Sequence, residues 1–405
     1  MASAADYADY RWLVTEPAGR WLAELGSAPG ETLRAASRLR REFSATRAHL
    51  LLEQISLRRR AKAKFARPER MFFTPLGLEQ ATDEWVAACK AARFSRCGST
   101  VRDLCCGIGG DLLALARQGP VLGVDRHRLA ALLARANCQR DDQHGADVVV
   151  GDAAHVPAVM AAWHLDPDRR PSGRRTTHVE LHEPGLPTIE RLLRACGDGA
   201  IKLAPAARWP AAWNAVSELE WISRGGECKQ LVAWFGSLAG AAGRRRATVV
   251  LGDEIPPRVR TLAGDAGQPA PLAGKIGRYL AEPDSAVLAA GLIGTLAAEH
   301  GLGAVAAGAA YLTGDRAFVD PALDWFEIAE SLPFDIKRLK ALLRQRRIGR
   351  LEIKQRGVAA DPDKLRQQLD VPGDETATLI LARLGKRVTA FLSHRVEGAK
   401  GSGVA

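Results

Sequence analysis

The stretch Val101-Arg-Asp103-Leu-Cys-Cys-Gly107-Ile-Gly109-Gly110-Asp111 constrains this chain more than any other. A short apolar strand ending in an acid runs directly into a glycine-rich turn, and the turn opens an apolar helix at Leu112–Arg117. Glycine tolerates positive φ and lets a ligand approach the backbone N–H groups. Beyond that helix the chain keeps alternating strand and helix. Strands are expected at Val121–Val124, Val148–Val150, Trp163–Leu165 and Ala200–Leu203, with helices at Leu129–Gln139 and Leu186–Ala195. Such alternation specifies an α/β fold with a parallel, doubly wound sheet. A late β-hairpin is expected where Glu218–Ser223 and Lys229–Phe235 flank Arg224-Gly225-Gly226-Glu227.

The turn excludes two familiar nucleotide sites. A dinucleotide fingerprint needs Gly or Ala where Leu112 stands, and a phosphate-cradling Walker loop needs a Gly-Lys-Ser/Thr that is absent. Instead, acids close three successive strands: Asp103, Asp125 and Asp152. Doubly wound sheets bind ligands at those C-terminal ends. The plainer alternative is that each acid caps the helix after it.

Around this sheet the chain divides by texture. Residues 1–70 read as a helical N-terminal region that ends in the basic run Arg58–Arg67, either a solvated helix end or a phosphate-binding stripe. Residues 71–240 form the sheet domain; Thr74-Pro75 opens a turn that continues as one amphipathic helix. Residues 241–330 form an extension or linker. Residues 331–395 make a small α/β module, with one basic helix from Phe334 to Arg350, and 396–405 a disordered tail. The chain has 405 residues, with 57 Lys and Arg against 46 Asp and Glu, a formal net charge of +11 that suits a polyanionic partner. Its seven cysteines include the adjacent pair Cys105-Cys106 and show no Cys-x-x-Cys spacing, so neither a disulfide framework nor a metal site is expected. The N-terminus lacks an apolar signal region. The run Val287–Leu312 is broken by Glu299-His300 and five glycines, so no membrane span is expected and the cytoplasm is the expected location.

The acid followed by Gly-x-Gly-Gly resembles motif I of the class I S-adenosylmethionine-dependent methyltransferases, with a Rossmann-like sheet. That resemblance implies S-adenosylmethionine as cofactor, held by Asp103, Cys105, Gly107, Gly109, Gly110, Asp125 and Asp152. Asp103 suits the positive charge of the cofactor's methionine part, Asp125 the ribose hydroxyls and Asp152 the adenine amino group. The segment after the fourth strand, His164-Leu-Asp166-Pro167-Asp168, resembles the Asp-Pro-Pro motif of nucleic-acid and amino-group methyltransferases, with Asp168 in place of the second proline. Asp166 and the Pro167 carbonyl would then orient an exocyclic amine for attack. The basic loop beside them supplies Arg169, Arg170, Arg174 and Arg175 for RNA contact. Cys228 would be needed for a covalent pyrimidine mechanism, but it falls in the hairpin.

Over nearly its whole length, through TPLGLEQATDEW, DLCCGIGGD, EWISRGGECKQLVAWFG and FDIKRLKALLRQRRIGRLEIKQRG, the chain resembles class I methyltransferases with a C-terminal THUMP-like domain. The resemblance implies an RNA substrate, tRNA or rRNA, with N-methylation of a base. Lys337, Arg338, Arg346 and Arg347 are the candidate RNA contacts of the C-terminal module, and Thr74 and Gln80 are candidates beside the cofactor. The alternatives are a non-catalytic or cofactor-binding RNA-binding protein, or a methyltransferase of small molecules or proteins.

Overall fold

The computed structural model describes residues 4–27, 32–141, 143, 145–157, 162–170, 173–358, 361–370 and 372–397. Tail residues 398–405, and Pro171 and Ser172 of the basic loop, lie outside them. The chain forms two compact units. One comprises Met1–Glu218, Gln230–Ala242 and Gly252–Arg258, and the other Leu219–Lys229, Gly243–Leu251 and Val259–Ala405.

In the first unit, four helices lead the chain: α1 (Ala4–Leu13), α2 (Glu16–Ser27), α3 (Thr32–Glu42) and α4 (Ala45–Ala61). Next come α5 (Pro75–Gln80) and α6 (Glu84–Ala91), where the sequence pattern suggests a single helix. The break has a local cause. Thr74 caps α5 through Gly77 N at 2.9 Å, and Asp83 caps a fresh start by accepting from the N–H groups of Trp85 and Val86. The sheet is then built from β1 (Val101–Leu104), α7 (Gly110–Ala116), β2 (Val121–Asp125), α8 (Arg128–Arg140), β3 (Ala146–Val150), β4 (Trp163–Leu165), α9 (Leu186–Ala195), β5 (Gly199–Leu203) and α10 (Trp213–Val216). The chain continues through β6 (Ser217–Arg224) and β7 (Glu227–Phe235), of which residues Leu219–Lys229 belong to the second unit; the turn between them has Gly225 and Gly226 at positive φ (62° and 79°), as a type I′ hairpin requires.

Within this unit the strand order is β3-β2-β1-β4-β5-β7. The first five strands are parallel and β7 runs antiparallel to β5. The order reverses direction between β1 and β4, which is where a doubly wound sheet opens a crevice. Register then sets the site, because Asp103 stands opposite His164 on β4, and His164 opposite Ala200 on β5. Side chains alternate faces along a strand, so Asp103, His164 and Lys202 share one face.

Two buried amides fix the segment that leads into the sheet. Asn137 on α8 accepts from Phe72 N at 2.7 Å and donates to Phe72 O and Ile108 O at 3.1 and 2.9 Å. Gln54 on α4 makes the matching pair with Phe73. Half of the six cations in the basic run are taken up in this packing. Arg58 is buried with its Nε on Met71 O, and Lys64 Nζ donates to the carbonyls of Leu78, Glu79 and Ala81, closing the end of α5. Arg67 pairs with Asp141. Exposed phosphate-binding capacity is therefore left to Arg59, Arg60 and Lys62.

In the second unit, β8 (Arg245–Leu251) pairs in parallel with β6. The region expected as an extension holds further regular structure: β9 (Arg258–Gly264), β10 (Tyr279–Pro283), α11 (Ser285–Ala290), α12 (Ile293–His300), β11 (Gly303–Ala304), β12 (Leu312–Gly314) and β13 (Leu323–Pro333). The C-terminal module consists of α13 (Ile336–Gln345), β14 (Ile348–Arg356), α14 (Pro362–Gln368), β15 (Glu375–Leu384) and β16 (Arg387–Arg395). Seven of these strands form one sheet in the order β11-β12-β10-β13-β16-β15-β14. The basic helix ends at Gln345, not Arg350. Arg347 turns left-handed (φ 55°), and Gly349 packs so closely on Gly373 that a Cβ there would lie 2.0 Å from a carbonyl oxygen. That contact draws the chain into β14. Leu339 and Leu343 face the core made by Leu365, Leu379 and Leu392.

Among the described residues no helix is long and apolar enough to cross a membrane. Asn137→Leu would leave three buried backbone groups unpaired. It should lower unfolding free energy by about 2–4 kcal/mol in a urea titration.

Candidate functional site

The loop after β1 is left-handed at Cys105, Gly107 and Gly109 (φ 62°, 57° and 93°). A Cβ built on Gly107 meets no atom within 4 Å, so the turn faces open space there. On Gly109 it would come within 3.5 Å of Ala134, because α8 packs against the turn. On Gly110 it would come within 3.2 Å of Thr82 N, where the segment before α6 crosses. Cys105 takes the same conformation with a side chain, at a cost of roughly 1–2 kcal/mol. Burial, then Asp125, pushes its thiol far above the ordinary range, which disfavours the reactive thiolate.

The three strand-end acids differ in setting. Asp103 is fully buried, and its Oδ1 lies 2.8 Å from His164 Nδ1. Its Oδ2 is buried without a hydrogen-bond partner among the described residues. Burial raises its pKa, and the bond to His164 offsets this only in part. Asp125 accepts from Gly107 N and His127 N, both at 2.8 Å, so one carboxylate fixes the glycine turn and the start of α8 together. Each oxygen keeps lone-pair capacity for a diol. Burial raises its pKa too, against the two backbone N–H donors. Asp152 is half exposed and accepts from Ala154 N at 2.8 Å.

Beyond β4, Asp166 is anchored by its N–H to Leu104 O at 3.1 Å, and its side chain is 27% exposed. Pro167 is buried behind it. Asp168, where the motif has a second proline, exchanges backbone hydrogen bonds with Glu183 and accepts from Arg170 N through its side chain. It shapes the loop and is spent there. Of the loop arginines, Arg170 and Arg175 both reach Glu79 Oε1, at 2.7 and 3.0 Å, while Arg169 is half-buried and Arg174 exposed. Gln80 takes part through its backbone carbonyl and Thr74 as a helix cap.

A chain of buried charged and polar groups joins Asp103 to Asp166. His164 Nε2 lies 3.3 Å from Lys90 Nζ, and Lys90 lies 2.6 Å from Asp111 Oδ1. Thr82 Oγ1 donates to Asp111 Oδ2 at 2.6 Å, and Lys202 Nζ stands 4.0 Å from that oxygen. Lys202 then donates to Asp166 Oδ2 at 2.6 Å. A lysine donor on Nε2 and a carboxylate on Nδ1 put the His164 proton on Nδ1. Burial would lift Asp111, but Lys90 outweighs it and holds the carboxyl well below the usual range. Burial would lower Lys202, but Asp166 and Asp111 overcome it and raise the ammonium's pKa. Lys90 is lowered, burial prevailing over Asp111. Three carboxyl groups thus face two ammonium groups, and Asp103 is the one without an ammonium of its own.

Sequence reasoning missed Lys90, His164 and Lys202. A signal was present for the last two: parallel strands buried on both faces are usually unbroken apolar runs, and His164 and Lys202 interrupt β4 and β5.

The C-terminal candidates lie in the second unit. Lys337, Arg338, Arg346 and Arg347 are all exposed, with Arg346 near Glu330 and Arg347 on Asp374. Cys228 sits on β7 in the same unit. There Glu299, His300 and Asp320 converge, but Arg260 bonds both acids, at 2.6 and 3.1 Å, and already supplies their counter-charge.

A parallel sheet with a glycine turn at its switch point and acids on its strand ends is the arrangement in which doubly wound sheets commonly hold nucleotide-type ligands, and comparison narrows the class. Two Mycobacterium tuberculosis proteins, each described as an uncharacterized S-adenosylmethionine-dependent methyltransferase, are 35% identical in a 376-residue alignment that covers 85% of this chain and 97% of each relative. The chain belongs to that family of S-adenosylmethionine-dependent methyltransferases. A THUMP domain-like profile matches residues 323–395, and a domain of unknown function, DUF8688, matches residues 6–61. The crystal structure of a candidate methyltransferase from Porphyromonas gingivalis W83 shares the fold, with a TM-score of 0.74 at 22% identity over 98% of this chain and 100% of that one.

The depressed carboxyl of Asp111 fixes the sign of a pH effect. The stability it supplies is complete above its unfolded value of 3.8 and is lost as pH falls below that. Asp111→Asn should cost about 3–5 kcal/mol at pH 7. In urea titrations the gap to the native chain should narrow at pH 3.

Proposed function

We propose that the chain methylates RNA, on a base nitrogen, with Asp166 and the Pro167 carbonyl as the groups that receive the acceptor amine. The observation that carries this reading is the state of Asp166. One of its oxygens is held by Lys202, and Oδ1 carries no hydrogen bond among the described residues, on a side chain partly open to solvent.

The residues around the loop fit S-adenosylmethionine. The open space over Gly107 leaves room for a ligand against the turn. Asp103, the buried acid of β1 with an oxygen unpartnered among the described residues, suits a cationic group better than a phosphate at the turn. Asp125 is braced to accept a ribose diol, and Asp152 stands at an outer strand end for an adenine amino group. The cofactor supplies an electrophilic methyl group on sulfur. The chain's own part is to orient the acceptor. Asp166 Oδ1 and the Pro167 carbonyl would accept the two N–H groups of an exocyclic amine, which leaves the nitrogen lone pair free as the nucleophile, and Asp166 would take the proton that the nitrogen sheds. The THUMP-like region and the exposed cations Arg174, Lys337 and Arg338 support a phosphodiester partner over a small molecule.

Transfer of labelled methyl from the cofactor into RNA, protein and small-molecule fractions tests the reading, with nucleoside mass spectrometry to name the product. Label is expected in RNA, as an N-methylated base. Asp166→Ala should reduce transfer about 100-fold or more while cofactor binding by calorimetry persists. Asp125→Ala should weaken cofactor binding by about 10–100-fold, two charged hydrogen bonds being lost. Label only in protein or small molecules would overturn the RNA assignment.

A further inference from the structure

We propose that Lys202 is a positioning residue of the acceptor site, pinning one oxygen of Asp166 and tying it through Asp111 to the helix that the glycine turn opens. The proposal rests on the reading of Asp166 as the acceptor-orienting group.

Lys202 lies at the C-terminal end of β5, on the sheet face shared with Asp103 and His164, and it is buried. Its Nζ donates to Asp166 Oδ2 at 2.6 Å and to Gln80 O at 3.4 Å, and stands 4.0 Å from Asp111 Oδ2. Asp111 is not its main partner. Asp111 already has Lys90 at 2.6 Å and the Thr82 hydroxyl at 2.6 Å. Asp166 is partly exposed, so water can solvate its charge. Burying a lysine beside it costs desolvation that a solvated carboxylate does not need to have offset.

Lys202 adds direction. An unrestrained carboxylate offers either oxygen to a substrate, whereas one pinned at Oδ2 offers only Oδ1, in one orientation. Asp111 is in the first turn of α7, directly after Gly109-Gly110. Gln80 closes α5, and Gly77 of that helix packs on Ile108 of the turn so tightly that a Cβ would lie 2.6 Å from it. Lys202 therefore links the acceptor carboxylate to both elements that shape the cofactor turn. A misplacement of about 1 Å at a reacting centre costs about 100-fold in rate, so such a link has kinetic weight.

The test uses the full-length chain with Lys202→Met, Lys202→Arg, Asp166→Asn and the Met/Asn double variant. Methyl transfer is measured at saturating cofactor and cofactor affinity by calorimetry. Lys202→Met is expected to slow transfer about 10–100-fold while cofactor affinity changes by no more than about twofold. Lys202→Arg should recover most of the rate, because a guanidinium can reach the same oxygen. The double variant should be no slower than Asp166→Asn, since the two residues act as one unit. If Lys202→Met does not fold, Lys202→Gln makes the same comparison. Undiminished transfer in the Met or Gln variant, or losses that multiply in the double variant, would overturn the assignment while leaving the reading of Asp166 intact. A wild-type chain that transfers methyl to no fraction would overturn both.

Discussion

Asp111 is the charge around which the polar interior of the first unit is organised. One carboxylate holds Lys90 from α6, the hydroxyl of Thr82 and, at longer range, Lys202 from β5. Each partner comes from a different element, and each must give up water to get there. Removing either Asp111 or Lys90 would leave the other as an uncompensated buried charge. The position of α7, and with it the glycine turn, therefore depends on electrostatics as well as on apolar packing.

The course of the first sheet was legible because local rules and global topology agree there. The acid-glycine turn after β1 and the alternation of strand and helix place β1 to β5 with their ends shifted by one or two residues at most. The three strand-end acids were legible for the same reason. The partners that complete the site were not. His164 meets Asp103 across 61 positions, and Lys90 meets His164 across 74. Such pairings exist only once the register of β1 against β4 is fixed, and nothing local announces that register.

Charge patterning misled where side chains are long. The run Arg58–Arg67 looks like a solvated or phosphate-binding stripe. Yet Lys64 closes a helix end and Arg58 is buried against Phe72, because an aliphatic stem lets a cation reach an internal carbonyl. The helix after Phe334 stops early for a reason outside any periodicity, since two glycines in different segments must touch. Composition also conceals the order of residues 259–330. Their small residues resemble linker texture, yet the second unit uses them to bring β10, β12 and β13 together.

The carboxylate of Glu79 on Arg170 and Arg175 changes the meaning of that loop's charge. An arginine approached by a polyanion normally sheds no carboxylate of its own, and binding is driven by ions released from the polyanion. Here two of the four arginines already share one carboxylate of the same chain, so the loop presents less net positive charge than its sequence suggests.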